Sequence, residues 1–95
     1  MSNQSTIINN ESNHRFELPV EGDVAYIQYS IRGDLLSLYF IFVPVSSRGK
    51  GLSGILIQYA LDYAKEHQMK IKIHCPFIAG YLAKHPEMEY EKASS

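Results

Sequence analysis

Apolar and polar positions change rhythm several times along this chain, and each rhythm predicts an element. Arg15 to Val20 is a short strand candidate, closed by the turn-forming triplet Glu21-Gly22-Asp23. From Val24 to Arg32 the residues alternate, Ala25, Ile27, Tyr29 and Ile31 against Tyr26, Gln28, Ser30 and Arg32, which is the period of a half-buried strand. Arg32-Gly33-Asp34 forms the next turn. Leu35 to Val43 is almost unbroken in apolar residues, with Leu36, Leu38, Phe40 and Phe42 opposite Leu35, Tyr39, Ile41 and Val43. Such a run predicts a central strand covered on both faces.

Beyond Pro44 and the pair Ser46-Ser47 the period becomes helical: Leu52, Ile55, Leu56, Tyr59, Ala60 and Tyr63 fall on one stripe, with Gln58, Asp62, Lys65 and Glu66 opposite. Lys70 to His74 resumes a short strand, Pro76 breaks it, and Phe77 to Lys84 supplies one more helix before His85-Pro86 stops it. The order is β-β-β-α-β-α. An antiparallel meander followed by a helical crossover into a further strand makes an α+β fold, a curved sheet with the long helix on one face. Residues 1–13, polar apart from Ile7 and Ile8, read as a flexible leader, 14–90 as a single domain and 91–95 as a frayed tail.

Composition narrows the function classes. A chain of 95 residues supports one modest core and no second lobe. A formal charge of −1, with cations spread among carboxylates, argues against duplex nucleic acid or an anionic membrane as the main partner. A single cysteine, Cys75, excludes an internal disulfide framework and a cysteine-rich zinc cluster, and His14, His67 and His85 share no ligand spacing, so no metal is expected. The polar N-terminus lacks the pattern of an export signal, so a cytoplasmic location is expected.

The chemistry concentrates between the central strand and the long helix, in Val45-Ser46-Ser47-Arg48-Gly49-Lys50-Gly51-Leu52-Ser53-Gly54. Glycines there let the backbone aim N–H groups at one point, and a helix N-terminus adds about half a positive charge. The first helical turn contains no Asp or Glu, while Arg48 and Lys50 stand just before it. This predicts an anion site, against the blander alternative that Ser46 or Ser47 caps the helix and the cations sit in water. Gly49-x-Gly51-x-x-Gly54 matches the dinucleotide fingerprint literally, but the upstream meander and the residues Ile73, His74 and Cys75, where a ribose-binding acid belongs, speak against a dinucleotide fold.

The stretch Val43-Pro44-Val45-Ser46-Ser47-Arg48-Gly49-Lys50-Gly51-Leu52-Ser53 resembles the pyrophosphate loop of the GNAT acetyltransferase superfamily. Arg48 and Gly51 meet its Gln/Arg-x-x-Gly-x-Gly/Ala signature, and Ser53 stands where Gly or Ala is usual. Cys75-Pro76-Phe77-Ile78 and the run from Tyr81 to Glu87 are similar to the very short GNAT-like proteins. The resemblance implies that acetyl-CoA or another acyl-CoA is bound, its pantetheine arm paired with the backbone near Val43 and Val45 between splayed strands. The pyrophosphate would lie on the amides of Arg48, Gly49, Lys50, Gly51, Leu52 and Ser53, with Tyr81 near the cofactor.

The implied activity is N-acyl transfer, by attack of an acceptor on the thioester with a base and an acid assisting. Phe40-Ile41-Phe42 lacks the glutamate that short members often carry there, and Leu82 stands where many larger members have a tyrosine acid. Cys75 is the remaining reactive candidate, weighed against a plain core role. Three functions follow: an acyltransferase acting on an amine or thiol acceptor, a domain that binds CoA or acyl-CoA without transfer, and an interaction module holding another anion.

Overall fold

The computed structural model describes residues 7–93. Its elements are β1 (Ile8–Asn10), β2 (Arg15–Val20), β3 (Asp23–Arg32), β4 (Leu35–Phe42), a 3-10 turn (Val45–Ser47), α1 (Leu52–Glu66), β5 (Lys70–Ile73) and α2 (Pro76–Ala83). The five strands form one sheet in chain order, antiparallel up to β4 and parallel between β4 and β5. The α+β class and the order from β2 to α2 follow the hydrophobic rhythm, because each of those elements buries an apolar face.

Both ends depart from the sequence reading. Within the expected leader, residues 8–10 form β1, pairing Ile8 with Glu17 and Asn10 with Arg15, while residues 1–6 lie outside the described part. Asn10 donates a side-chain hydrogen bond to Glu17 at 3.2 Å, and the Tyr29 hydroxyl bonds to Asn9. A strand held by its ladder and by polar side chains has no hydrophobic period to read. The tail behaves similarly: the Ile71 N–H donates to the Glu91 carbonyl at 2.8 Å and the Ala93 N–H to the Ile71 carbonyl at 2.9 Å. Residues 91–93 therefore cover the outer edge of β5, and residues 94–95 are outside the described part.

Two expectations for β4 need correction. Tyr29 pairs with Leu38 and Gln28 with Phe40, so Tyr39 is an extra residue, a β-bulge. Past the bulge the faces exchange, and Ile41 rather than Phe40 continues the inward row of Leu36 and Leu38, opposite the buried Ile27. The strand is also not covered on both faces. Residues of α1 and α2 join a single core with the inward rows of the sheet, while Tyr39 and Phe40 are 45% and 50% exposed. The apolar run was long because an aromatic face was left open.

The core sits between the sheet and the helices. Phe16 is its hub, stacked on Tyr29 at 4.3 Å and meeting Tyr59 and Tyr63 on α1 at 5.3 Å each. The buried stripe of α1 is Leu52, Leu56, Ile57, Ala60, Leu61 and Ala64, with Ile55, Tyr59 and Tyr63 at its margin. The stripe is rotated from the one the period suggested, because tyrosines keep their hydroxyls near water. α2 contributes Ile78 and Leu82.

Truncating Ile57, fully buried between helix and sheet, removes packing that the core cannot refill. Ile57→Ala is expected to lower stability by about 2 to 5 kcal/mol in urea unfolding. A second expectation concerns alkaline pH. Burial pushes the Tyr29 phenol up, with Tyr63 and Glu11 adding to it, and burial likewise pushes Tyr59 up. A proton held more tightly in the folded state stabilises fully below the unfolded value near 10 and is lost as pH rises through the raised folded value. The urea midpoint should decline above that pH, and phenolate absorbance should show Tyr29 and Tyr59 titrating late.

Candidate functional site

The site grows from the place where β4 loses its parallel neighbour. Pairing with β5 runs from Leu35↔Lys70 to Leu38↔Ile73, and the His74 N–H adds a last bond to the Leu38 carbonyl at 2.9 Å. β5 then ends, because Cys75 is the N-cap of α2 and Pro76 is its first residue. β4 continues to Phe42, so its outer edge beyond the bulge faces no strand. Unpaired backbone donors and acceptors along such an edge are a template for an extended ligand.

The chain then turns through Pro44 and the 3-10 turn into the glycine loop. Gly49 and Gly51 adopt φ of 82° and 77°, where a side chain would be strained. Gly51 is the N-cap of α1, no side chain caps that terminus, and its first turn carries no acid. Neither Ser46 nor Ser47 plays the capping role that the blander alternative assigned to them. The first amides of α1 are thus left to solvent or to a ligand, with the positive end of the helix dipole behind them.

Edge and loop enclose a cavity of about 490 Å³, lined by Ile41, Val43, Ser47, Arg48, Gly49, Gly51, Leu52, Ser53 and Phe77. No carboxylate is among these residues. Arg48 closes the corner, its Nε donating to the Val43 carbonyl at 3.1 Å. The cavity has apolar walls at the strand end and a cluster of N–H donors with one guanidinium at the helix end. It suits a ligand with an anionic head and a longer, amide-like arm.

A family model described as GCN5-related N-acetyl-transferase matches residues 15–92, from β2 to the bridge that Lys92 makes with Ile71. The chain belongs to this family. No curated protein matches it. Membership in the N-acetyltransferase family carries acyl transfer as the general activity, and the small α+β fold agrees with it. No helix among the described residues is long and apolar enough to cross a membrane.

Within this acetyltransferase fold, Val43, Arg48, Gly49, Gly51, Leu52 and Ser53 come together on the cleft, while Val45, Lys50, Tyr81 and Cys75 are not among its lining residues. Val45 opens the 3-10 turn with its side chain 75% exposed, and its carbonyl accepts the Arg48 N–H at 3.2 Å. Lys50 lines a second pocket, with Leu18, Glu21, Ser47 and Leu52. Tyr81 lies against Gly54 and stacks on His85 at 4.3 Å. Cys75 is 6% exposed and packed in the core, and it is not part of the cleft wall.

Sequence reasoning missed Ile41, Ser47 and Phe77. Ile41 reaches the wall only because the bulge exchanges faces, which no alternation pattern announces. Phe77 carried a faint signal: a large apolar residue after Pro76, at the start of a helix, has little to pack on and is 54% exposed. Among the described residues no three His, Cys, Asp or Glu side chains gather in a metal-binding cluster.

Gly54 has a packing reason to be glycine, since a Cβ there would run into the Tyr81 hydroxyl. Despite the gain in helix propensity, Gly54→Ala is expected to lower stability by about 1 to 3 kcal/mol. Tyr81→Phe in the same chain should restore part of that loss, as a double-mutant cycle by denaturant unfolding would register.

Proposed function

We propose that the chain is an acyl-CoA-dependent N-acyltransferase, with acetyl-CoA the natural donor to try first. The observation that carries this reading is the juxtaposition of an uncapped, acid-free helix N-terminus with the bare edge of β4 on one cavity. The pyrophosphate sits on the amides from Arg48 to Ser53, and the pantetheine arm runs along β4 past Val43 and Ile41 towards the bulge. Arg48 leaves the Val43 carbonyl when the arm's amide takes that acceptor, and its guanidinium turns to the phosphates. Phe77 closes the cleft from α2.

Transfer is direct in this reading. The acceptor nitrogen attacks the thioester carbonyl, the C–N bond forms, the C–S bond breaks, and the proton lost by nitrogen ends on the departing thiolate. Direct attack needs no enzyme thiol, and the burial of Cys75 suits a packing residue. Cys75→Ala should therefore keep transfer, and intact mass after incubation with acetyl-CoA should show no acyl group on the wild-type chain. A stable acyl adduct lost in that variant would instead make Cys75 the nucleophile.

The donor site is tested by calorimetric titration with acetyl-CoA, with CoA and ATP as comparisons. Selective binding of acetyl-CoA is the expected result. Gly51→Glu should abolish it, but Gly51 is left-handed, so a second variant is needed. Ser53→Asp serves, because an acid in the first turn strengthens a helix by about 0.3 to 1 kcal/mol while occupying the phosphate position. A more stable protein with about 10- to 100-fold weaker acetyl-CoA binding is expected. Equal affinity for ATP, or unaltered binding in Ser53→Asp, would favour an interaction module holding another anion. Binding without transfer to any amine would leave an acyl-CoA-binding domain.

A further inference from the structure

β4 and β5 part after the pair Leu38–Ile73, beside the donor cleft, and among the described residues no helix covers the other face of the sheet there. The apex of the gap on that face is marked by two side chains. The Tyr39 ring, thrown out by the bulge, stacks on the His74 ring at 4.6 Å, and His74 is the residue whose N–H ends the β4–β5 ladder. A thioester carried along β4 to the bulge arrives here. An acceptor approaching from the open face meets it without passing the helices or the bound donor.

Two cations act on this spot. The Tyr39 hydroxyl shares a hydrogen bond with the Ser30 hydroxyl at 3.1 Å, and Arg32 and Lys72 act on the same oxygen. These groups hold the Tyr39 phenol below its ordinary value, the hydroxyls of Ser30 and Ser37 first and the two cations after them. What stabilises negative charge on that oxygen would do the same for a carboxylate or phosphate oxygen beside it. On this side of the sheet the inner strand acid, Glu17, is already paired with Arg15 at 2.8 Å. A polyamine or a lysine-rich peptide would meet repulsion. An amine with its own acid group would be drawn in, and the surrounding cations would favour the neutral, nucleophilic form of its nitrogen.

We propose that the acyl acceptor binds on the open face of the sheet at Tyr39 and His74, and that it is a small amine carrying an acid group held by Arg32, Lys72 and the Ser30 hydroxyl. The inference rests on the donor reading above and names the acceptor class for it. In the step it implies, the neutral amine attacks the thioester carbonyl through the gap, the C–S electron pair leaves with sulfur, and the ammonium proton of the adduct passes to the thiolate.

The test uses the full chain with acetyl-CoA and follows thiol release for matched acceptors: O-phosphoethanolamine against ethanolamine, β-alanine against β-alaninamide, and spermidine as polycation. Each acid-bearing member should exceed its neutral partner in kcat/KM by about tenfold or more, with spermidine poorest. The phosphate and carboxylate pairs show which acid group is preferred. In the double variant Arg32→Gln, Lys72→Gln the ratios should fall towards one while acetyl-CoA affinity stays unchanged.

A readout independent of turnover is the NMR ring signals of His74 and Tyr39, which should shift with O-phosphoethanolamine and not with ethanolamine. Preference for spermidine, ratios unchanged in the double variant, or ring signals indifferent to the acid-bearing amines would overturn the acceptor site while leaving the donor site standing. Failure of the wild type to bind acetyl-CoA would overturn the donor reading and the acceptor site with it.

Discussion

The early end of the ladder between β4 and β5 is the constraint on which the rest of this structure depends. Parallel pairing lasts only from Leu35 to Leu38, because β5 gives way at His74 and Cys75 to a helix that starts with proline. β4 continues alone, bulged at Tyr39, and carries its bare edge to the turn that feeds α1. A sheet normally spends its backbone donors and acceptors on neighbouring strands; here one strand leaves several without a strand partner. The apolar walls, the helix terminus and the phenylalanine of α2 all take their positions around that gap.

Helix α1 supplies the opposite character. Its N-terminus offers amides that no side chain caps, and the preceding residues provide cations where a protein-only helix would place an acid. The arrangement costs some helix stability when nothing is bound. It is tolerated because α1 is anchored by its buried stripe, from Leu52 to Ala64, against the sheet. Packing thus holds in place a terminus whose electrostatics call for an anion, and the core and the site are linked through one helix.

The two faces of the sheet differ. Two helices suffice to cover one face of the sheet, and both lie on the same side in a single core. The uncovered face sets Tyr26 beside both Phe40 and Phe42, with the Arg15 guanidinium 4.2 Å over the Tyr26 ring. Aromatic residues can line such a face because they combine apolar area with tolerance of water and cations.

Much of this was legible along the chain. Elements that bury an apolar face in a regular period, from β2 through α2, showed themselves, and so did the glycine loop, whose chemistry is local: glycines, cations and the lack of an acid lie within a few residues of one another. The family resemblance also rested on contiguous residues from Val43 to Ser53, and the match over residues 15–92 bears it out. Only tertiary structure decided the rest. β1 is a strand, and residues 91–93 bridge to β5, because another strand offers its edge, a property of the partner rather than of their own side chains. The bulge that sends Ile41 inward and Tyr39 outward is a mismatch between two strands, so neither strand's sequence announces it. Cys75, Lys50 and Tyr81 looked close to the cleft by position in the chain, yet none is among the residues that line it. Local sequence determines propensities and the groups available; which of them face one another is set by non-local contacts, and in this chain those contacts open the gap.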